Sequence, residues 1–435
     1  MTMSDQRKNV LGVATLCALL FGGGTAAHLV VDSLLQLIIV ASSLFVLTDT
    51  RRTRSLSVAI GLGVAATVLC LIQLLPLPID LARLGRTDIF ENARFGLEQI
   101  SWHSISLAPG RTLDSLFWIA SLTIYAMAVT SFEPAERNSL VSYVLVGTLL
   151  NVVFALMSYA AISTGKIEFV GYEASAGIFA NRNHFGTLVF ATMVLMIFYL
   201  LRRSMLVGAI AYCILALVTL FATSSQAAAF AGTGVAALGV AMIFSGHRSM
   251  RIGLGMLIGL TCLAYFGLAW QVETDETGLD MVRIEAFATT WRAALDNLPF
   301  GTGFGSFLRA YKSYELTIFH VQINHAHNDY LELLLEGGGA AAVLLAAFFA
   351  YVVRLLMRSR TESLPAIIGL IAILAHSLVD YPLRTYAISI LATFLLVLSA
   401  ESASTTTPTG SARSSTHSRQ RNLHPGAKRT RPKQG

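Results

Sequence analysis

A short polar segment near position 330 gathers side chains that could carry acid–base chemistry. It reads Asn324-His325-Ala326-His327-Asn328-Asp329-Tyr330-Leu331-Glu332 and closes a long loop, residues 271–337. Histidine changes charge near neutral pH, so it can accept a proton from a substrate hydroxyl. We therefore interpret His327 as a candidate general base.

The neighbours of His327 suggest how its ring is held. We expect His327 in the first turn of a helix that continues to the glycines at 337–339. The positive end of such a helix disfavours an imidazolium and keeps the ring neutral. Asn328 and Glu332 share one helical face and could orient the ring or bind hydroxyl groups. The candidate substrate-binding residues of this segment are His325, Asn328, Asp329, Tyr330 and Glu332.

Two other interpretations of these histidines stay open. The pair His325 and His327 with Asp329 resembles a metal-binding pattern, but zinc takes three or four protein ligands. The other histidines predicted on the same side form no second ligand pair: His28, His103, His184 and His320. Alternatively, the histidines simply cap the transmembrane helix that follows. We expect no metal and no other cofactor.

The rest of the chain predicts a membrane protein. Its composition is 54% hydrophobic and 13% charged, against about 25% charged in an average soluble domain. Twelve apolar runs are each long enough to cross a hydrocarbon core of about 30 Å as a helix. The expected fold is an all-α, polytopic bundle of about twelve spans, with short helices in the large loop. The runs are 10–27, 29–48, 56–76, 112–130, 139–162, 184–201, 205–223, 227–245, 252–270, 338–356, 364–380 and 385–400.

The charge distribution predicts the orientation of these spans. Of the 31 Lys and Arg residues, 20 lie in one alternating set of loops with the two termini, together with only 6 of the 25 acidic residues. The positive-inside rule makes this set cytoplasmic. Both termini are then inside, and the loops 77–111, 163–183 and 271–337 are outside. The first apolar segment is expected to be an uncleaved helix.

The excess of positive charge does not indicate nucleic-acid binding. The basic residues lie in short turns beside the membrane, where anionic lipid headgroups attract them, and in the tail. Residues 401–435 are rich in Ser, Thr, Pro and Arg, a composition typical of disorder. Membrane lipids are therefore the expected partners of this charge.

Within the large loop, residues 281–297 have the pattern of an amphipathic helix, with Asp280 as its cap and Pro299 as its stop. Its apolar side chains recur at helical spacing: Ile284, Phe287, Trp291, Leu295 and Leu298. Such a helix can lie along a membrane interface. Arg283 borders the stripe, while Arg292 could equally be a solvated residue. We interpret Gly301-Thr302-Gly303-Phe304-Gly305 as a flexible turn.

These motifs resemble the O-antigen ligase and polymerase superfamily of bacterial envelope enzymes. The resemblance covers about residues 170–390, and the first five helices match only in topology. It divides the chain into N-terminal helices (1–168), a ligase-like catalytic region (169–400) and a tail (401–435). The segments that carry it are Phe179-Ala180-Asn181-Arg182-Asn183-His184, Arg283 with Trp291, Pro299-Phe300-Gly301-Thr302-Gly303, His327-Asn328-Asp329-Tyr330-Leu331, Glu336-Gly337-Gly338 and His376-Ser377-Leu378-Val379-Asp380-Tyr381-Pro382-Leu383-Arg384.

The resemblance implies a glycosyltransferase of the bacterial inner membrane. Members take a glycan from an undecaprenyl-pyrophosphate carrier and join it, on the periplasmic side, to an acceptor hydroxyl. Ligases use lipid A-core as acceptor, polymerases another repeat unit, and some relatives protein side chains. The implied partners are thus a lipid-linked oligosaccharide donor and a glycan or lipid A-core acceptor. One departure is Ser225-Gln226, where many members carry Ser-Arg.

The resemblance also suggests roles for basic residues. His327 would be the base, and Arg182 and Arg283 would bind the leaving pyrophosphate without a metal, with Arg384 as third candidate. Attack opposite the leaving group would invert the anomeric centre. Arg182 could instead only anchor its helix at headgroup level. His184 could bind a second hydroxyl or be an interfacial residue.

Two remaining alternatives concern the site's support and the function itself. His376 and Asp380 lie one helical turn apart, so they could brace the site through a mutual hydrogen bond or contact the substrate. A transporter is the main competing class, since twelve spans are common in carriers. Carriers, however, usually place ionisable residues or broken helices near the midplane. A non-catalytic assembly component is the third possibility.

Overall fold

The computed structural model describes residues 2–26, 29–48, 58–82, 101–160, 167–169, 171–223, 225–243, 279–315 and 322–404. The predicted span 252–270, the basic turns 51–54 and 248–251, His28, His320 and tail residues 405–435 lie outside these ranges. In the described part, long apolar sequences form α-helices, because a helix satisfies its own backbone hydrogen bonds in lipid.

Nine helices of the described residues precede the large loop. They are α1 (Met3–Phe21), α2 (Val30–Leu47), α3 (Val58–Leu74), α4 (Ile79–Ala82), α5 (Pro109–Ser131), α6 (Pro134–Ala160), α7 (Arg182–Leu201), α8 (Leu206–Ala222) and α9 (Gln226–Ile243). The described residues also form two antiparallel pairs of three-residue strands, β1 (Pro76–Pro78) with β2 (Trp102–Ser104) and β3 (Ile167–Phe169) with β4 (Tyr172–Ala174).

The large loop and the chain after it contribute five more described helices. They are α10 (Leu279–Asp296), α11 (Phe307–Lys312), α12 (Asp329–Arg358), α13 (Leu364–His376) and α14 (Tyr386–Ser404), with a 3-10 helix at Pro382–Arg384. The predicted all-α membrane bundle is confirmed. Five described helices are long and apolar enough to cross a membrane, namely α2, α5, α6, α7 and α12, and four shorter ones are apolar: α3, α8, α13 and residues 386–400 of α14.

Helix α7 lies at the centre of the bundle. Every residue from His184 to Ile197 is buried, and α6, α8, α9 and α13 pack around it. Helix α12 is the opposite case, since only 17% of its most apolar 18-residue stretch is buried, against 78% of the corresponding stretch of α7. Among the described residues α12 is therefore peripheral, and these residues leave a broad face of its apolar part uncovered.

The loop helices form a small unit that we call the polar loop (residues 279–315 and 322–337), which the predicted topology places outside the membrane. Its core joins Ala286 and Ala293 of α10 to Phe307 and Tyr311 of α11 and to Leu335 of α12. Helix α10 begins at Leu279, so Asp280 lies inside the helix and the expectation that it caps the helix is wrong. The buried alanines, rather than the residue at its start, determine which face of this helix packs against α11 and α12.

The glycine turn after α10 is tightly packed, which corrects the expectation of a flexible turn. The amides of Thr302 and Gly303 donate to the carbonyl oxygens of Leu335 and Glu336 at 3.0 and 2.8 Å. Gly301 has φ 73°, and a Cβ there would lie 2.5 Å from the carbonyl oxygen of Glu336. The glycines are needed because two backbones approach each other without room for side chains.

That turn stabilises a break in α12. At Gly338 the backbone has φ 58° and ψ −146°, a region that essentially only glycine adopts. The amide of Gly339 donates to the carbonyl oxygen of Pro299 at 2.8 Å. The break thus separates a polar first part of α12 from its apolar remainder.

We expect Gly338→Ala to lower the free energy of unfolding by about 1–3 kcal/mol from backbone strain alone. The new Cβ would also lie 2.3 Å from the carbonyl oxygen of Pro299. Gly339→Ala is the matched control, because its Cβ would meet that oxygen at an ordinary 3.5 Å. Thermal unfolding in detergent measures both. Equal unfolding temperatures for the two variants would contradict the strained break.

Three loops predicted on one side of the membrane meet in the structure. The amide of Leu107 donates to the carbonyl oxygen of Thr302 at 2.8 Å, and the amide of Asp329 to that of Ser377 at 3.0 Å. The side chain of Asn183 bonds to Asp380. This common side agrees with the predicted topology, while its assignment to the periplasm stays a prediction.

Candidate active site

Asp380 is the centre of the candidate site. It follows α13 in the short connection to α14, and its side chain is 3% exposed. Its Oδ2 accepts a hydrogen bond from Asn183 Nδ2 at 2.7 Å, and its Oδ1 accepts one from the amide of Tyr381 at 3.0 Å. These two bonds fix the carboxylate between the start of α7 and the end of α13.

Three histidine rings surround this carboxylate. The Nδ1 atom of His327 lies 3.4 Å from Oδ1, and the Nε2 atom of His184 lies 3.8 Å from the same oxygen. The Nε2 atom of His376 lies 3.9 Å from Oδ2. The mutual hydrogen bond of His376 and Asp380, one of the two alternatives for this pair, is therefore absent, because the ring and the carboxylate are too far apart.

The position of His327 relative to α12 differs from the prediction. Helix α12 starts at Asp329 with Asn328 as its N-cap, so His327 precedes the cap and is not in the first helical turn. Its backbone φ is 51°, which is uncommon for a residue other than glycine. This backbone conformation turns the ring toward Asp380. The ring is 30% exposed, while Nδ1 is buried and makes no hydrogen bond of good geometry.

The carboxylate of Asp380 is held in its ionised form. Burial would raise its pKa, but the contacts of its oxygens with His184, His327 and His376 outweigh burial and hold the pKa well below the usual range. A proton on Nδ1 of His327 would face this negative charge, which leaves Nε2 as the proton acceptor. Asp380, rather than the end of a helix, thus governs the ring of His327.

The other two histidines are fixed by hydroxyl groups. His184, fully buried, has Nδ1 at 2.6 Å from the hydroxyl of Thr385. His376 has Nδ1 at 2.8 Å from the hydroxyl of Thr187. Both rings are buried and closely partnered, so they support the carboxylate more than they present a surface to a substrate.

Tyr381 joins three of the imidazole rings. Its ring stacks on His325 at a centroid distance of 4.2 Å and 25°. It meets His184 and His327 edge to face, at 4.8 and 5.1 Å. Burial, together with the charge of Asp380, raises the pKa of Tyr381 to about 12, so its hydroxyl keeps its proton at neutral pH. The contact between the two rings restricts the orientation of the His327 ring.

The first turn of α12 is bonded to the connection after α13. The side chain of Asn328 accepts from the amides of Tyr330 and Leu331 and donates to the carbonyl oxygen of Leu378 at 2.9 Å. Asp329 accepts from the amide of Leu383 at 3.1 Å. Asn328 and Asp329 are buried, so their positions fix the loop that carries His327.

Arg384 lies among three buried carboxylates. Its guanidinium donates to Glu336 at 2.9 Å and lies 3.5 Å from Glu332 and 3.8 Å from Asp329. Burial would lower the pKa of Arg384, but the three acidic groups raise it above its ordinary value. Glu332 also accepts from His325 Nδ1 at 3.0 Å. The positive charge of Arg384 is therefore taken up by acidic side chains inside the protein.

The two arginines predicted to bind pyrophosphate lie on different elements. Arg182 is the first residue of α7, as expected, and is exposed beside Asn183, the partner of Asp380. Arg283 is exposed on α10, which packs against α12. Gln226, at the position of the family's basic residue, begins α9. The structure thus brings Arg182 close to the Asp380 cluster and holds Arg283 on the polar loop.

Two contributors to the site were missed as partners of His327. Asp380 was interpreted as a partner of His376, because their spacing predicts one helix face, but α13 ends before Asp380. Tyr381 was noticed only as part of a motif.

A third residue, Gln73, supports the polar loop and gave no sequence signal. It donates to the carbonyl oxygen of Glu336 at 2.9 Å and accepts from the amide of Phe304 at 3.0 Å. Contacts between distant segments decide all three roles.

Comparison with known proteins agrees with the motifs. Residues 188–346 match the family model described as O-Antigen ligase. The resemblance to the O-antigen ligase and polymerase superfamily is therefore confirmed. The matched segment contains Arg283 and His327, whereas Arg182 and Asp380 flank it. No curated protein matches the chain.

Proposed function

We propose that this multi-pass membrane protein transfers a glycan from a polyprenyl-diphosphate carrier to an acceptor hydroxyl, with His327 as the general base. The family match supports a membrane glycan transferase of the O-antigen ligase type. The observation that carries the proposal is the 3.4 Å approach of His327 Nδ1 to Asp380 Oδ1. It gives the most exposed of the three rings around Asp380 a carboxylate partner, an arrangement suited to proton abstraction.

In the proposed reaction, Nε2 of His327 accepts the proton of the acceptor hydroxyl. The oxygen attacks the anomeric carbon while the bond from that carbon to the diphosphate oxygen breaks, and the lipid diphosphate leaves with the electron pair. Displacement from the opposite face inverts the anomeric centre. Asp380 stabilises the imidazolium that forms, in the way a carboxylate supports the histidine of a hydrolase triad.

Arg182 and Arg283 are proposed to bind the diphosphate, because a guanidinium offers paired donors to phosphate oxygens and stays charged. No metal is required in this mechanism. Arg384 is assigned a supporting role, since its charge already serves three carboxylates. The remaining predicted substrate contacts, His184, His325, Asn328, Asp329, Tyr330 and Glu332, are proposed to shape the site around the acceptor and the base.

A reconstituted reaction tests the function. Vesicles containing the purified protein are given a polyprenyl-diphosphate-linked oligosaccharide and a soluble or lipid-anchored hydroxyl acceptor. We expect free polyprenyl diphosphate to appear only with acceptor, together with a glycosidic product of inverted configuration. Intact donor that merely changes leaflet would instead identify a transporter. Products of one repeat on a lipid acceptor indicate ligation, whereas a ladder of repeats indicates polymerisation.

The arginines give a separate prediction about the donor. Loss of one charged hydrogen bond to phosphate removes about 1.5–3 kcal/mol, so Arg182→Gln and Arg283→Gln should each lower kcat/KM for the donor by about tenfold to a hundredfold. Arg292→Gln, on the same exposed helix as Arg283, is the control and should leave it unchanged. Steady-state transfer at varied donor concentration measures this. Equal values for all three variants would exclude these arginines from donor binding.

The pairing of base and carboxylate is tested by Asp380→Asn. We expect transfer to slow by more than about tenfold. The loss should not exceed the contribution of the general base itself, which is typically about 10²–10⁴-fold. A residue that acts only through His327 adds nothing once His327 is absent. The double variant His327→Ala/Asp380→Asn should therefore be no slower than His327→Ala, as single-turnover rates will show. Multiplicative losses would mean that Asp380 acts independently.

A further inference from the structure

Helix α10 carries an apolar stripe that no part of the polar loop covers. On α10 the stripe consists of Ile284, Phe287, Trp291 and Leu295, and Leu298 in the turn after the helix extends it; these residues are 46%, 42%, 51%, 47% and 37% exposed. The small residues of the same helix are the buried ones, among them Ala286, Ala293 and Ala294. The helix therefore packs through its small side chains and presents its large apolar ones outward. Five such side chains along one face of α10 and the turn after it indicate a partner surface.

The position of the stripe relative to the membrane follows from α12. This helix has 30 residues, or about 45 Å, which exceeds a hydrocarbon core of about 30 Å. Its first part holds Asp329, Glu332 and Glu336, so that part lies outside the core, and the apolar part begins near the break at Gly338. The hydrogen bond from Gly339 to Pro299 ties the end of the stripe to that boundary.

The faces of α10 agree with this placement. Its buried face contacts α11 within the polar loop, so its apolar face looks away from the extramembrane core. At about 100° per residue, Arg283 and Arg292 lie on opposite borders of the stripe, each roughly 90° from its middle. Arginines in such places extend to lipid phosphates while their neighbours enter the acyl region.

We infer that α10 lies in the membrane interface, with its apolar stripe inserted at the boundary of lipid headgroups and acyl chains. Interfacial helices of this type bury their apolar face about 5–10 Å deep and carry basic residues and Trp. The partner is thus the lipid surface on the side of the polar loop. This inference goes beyond the proposed function, since it requires no reaction, and it would keep Arg283 at the level of lipid phosphates.

Fluorescence of a single tryptophan tests the inference. The full chain with Trp102→Phe, Trp118→Phe and Trp270→Phe retains Trp291, and is reconstituted in phosphatidylethanolamine–phosphatidylglycerol vesicles. We expect lipids brominated near the headgroup to remove most of its emission, lipids brominated deep in the chains to remove less, and aqueous acrylamide to remove little. The transfer reaction is not involved, so failure of this test leaves the proposed function standing.

A matched control places the probe on the other side of the same helix. In the same background, Trp291→Phe with Asp296→Trp moves the tryptophan to an exposed position away from the stripe. We expect this probe to be quenched by acrylamide and little by brominated lipid. Acrylamide quenching of Trp291 without lipid quenching would overturn the inference. Protection of Trp291 from both quenchers would also overturn it, because protein, in this chain or a second copy, would then cover the stripe.

Discussion

His327→Ala should reduce glycan transfer by about 10²–10⁴-fold, the usual contribution of a positioned general base. The side chain is 30% exposed and its Nδ1 makes no hydrogen bond of good geometry, so its removal should change the unfolding temperature little. The donor should bind as before. Single-turnover transfer in vesicles measures the loss of rate. Thermal unfolding in detergent measures stability, and a binding assay with the lipid-linked donor measures donor affinity.

The design includes a control and a rescue. His103→Ala removes a ring whose Nδ1 lies 2.7 Å from the carbonyl oxygen of Ser104, and we expect it to leave transfer intact. His327→Gly relieves the positive φ and leaves room for a small base. Added imidazole should then restore part of the rate, which a purely structural role of His327 would not allow. Unchanged transfer in His327→Ala would remove the proposed base.

Arg384→Met should destabilise the protein more than any other single substitution proposed for it. Removing the guanidinium leaves Asp329, Glu332 and Glu336 facing one another, with exposed side-chain fractions of only 1%, 1% and 0%. Breaking a buried ion pair by removing one partner costs about 3–5 kcal/mol, since the remaining charge is uncompensated. We expect a large fall in unfolding temperature and in the yield of folded protein.

An exposed ion pair supplies the comparison. Arg202 lies 2.6 Å from Glu362 with exposed side-chain fractions of 60% and 56%, and Arg202→Met should change stability by no more than about 1 kcal/mol. Adding Glu336→Gln to Arg384→Met should recover part of the loss, because one buried charge is removed. If Arg384→Met unfolds at the wild-type temperature, the carboxylates do not depend on Arg384.

Much of the architecture could be predicted from local pattern. Long apolar runs form helices in lipid, because lipid offers no hydrogen-bond partners and a helix pairs its own backbone groups. Eleven of the twelve predicted spans coincide with described helices, and span 252–270 lies outside the described residues. The positions of His327 and its neighbours in the polar loop were also evident, since a membrane protein keeps ionisable groups away from lipid.

The errors share a cause. The ends of α10 and α12 were each misplaced by one or two residues at Asp280 and His327, because caps and breaks depend on what the helix end contacts. The turn at Gly301 was interpreted as flexible, although its glycines serve a close approach to Glu336. Pattern along the chain shows which residues a turn contains, but not which backbone lies against it.

The amino-acid sequence alone determined the membrane class, the helical content and the group of residues from which chemistry could be expected. Tertiary structure alone decided that Asp380, distant in sequence, would pair with His327, and that Arg384 would serve three carboxylates. The physical reason is range. Hydrophobicity and helix formation act between near neighbours, whereas the partner of a charged or polar side chain depends on which distant residue packing brings within about 4 Å.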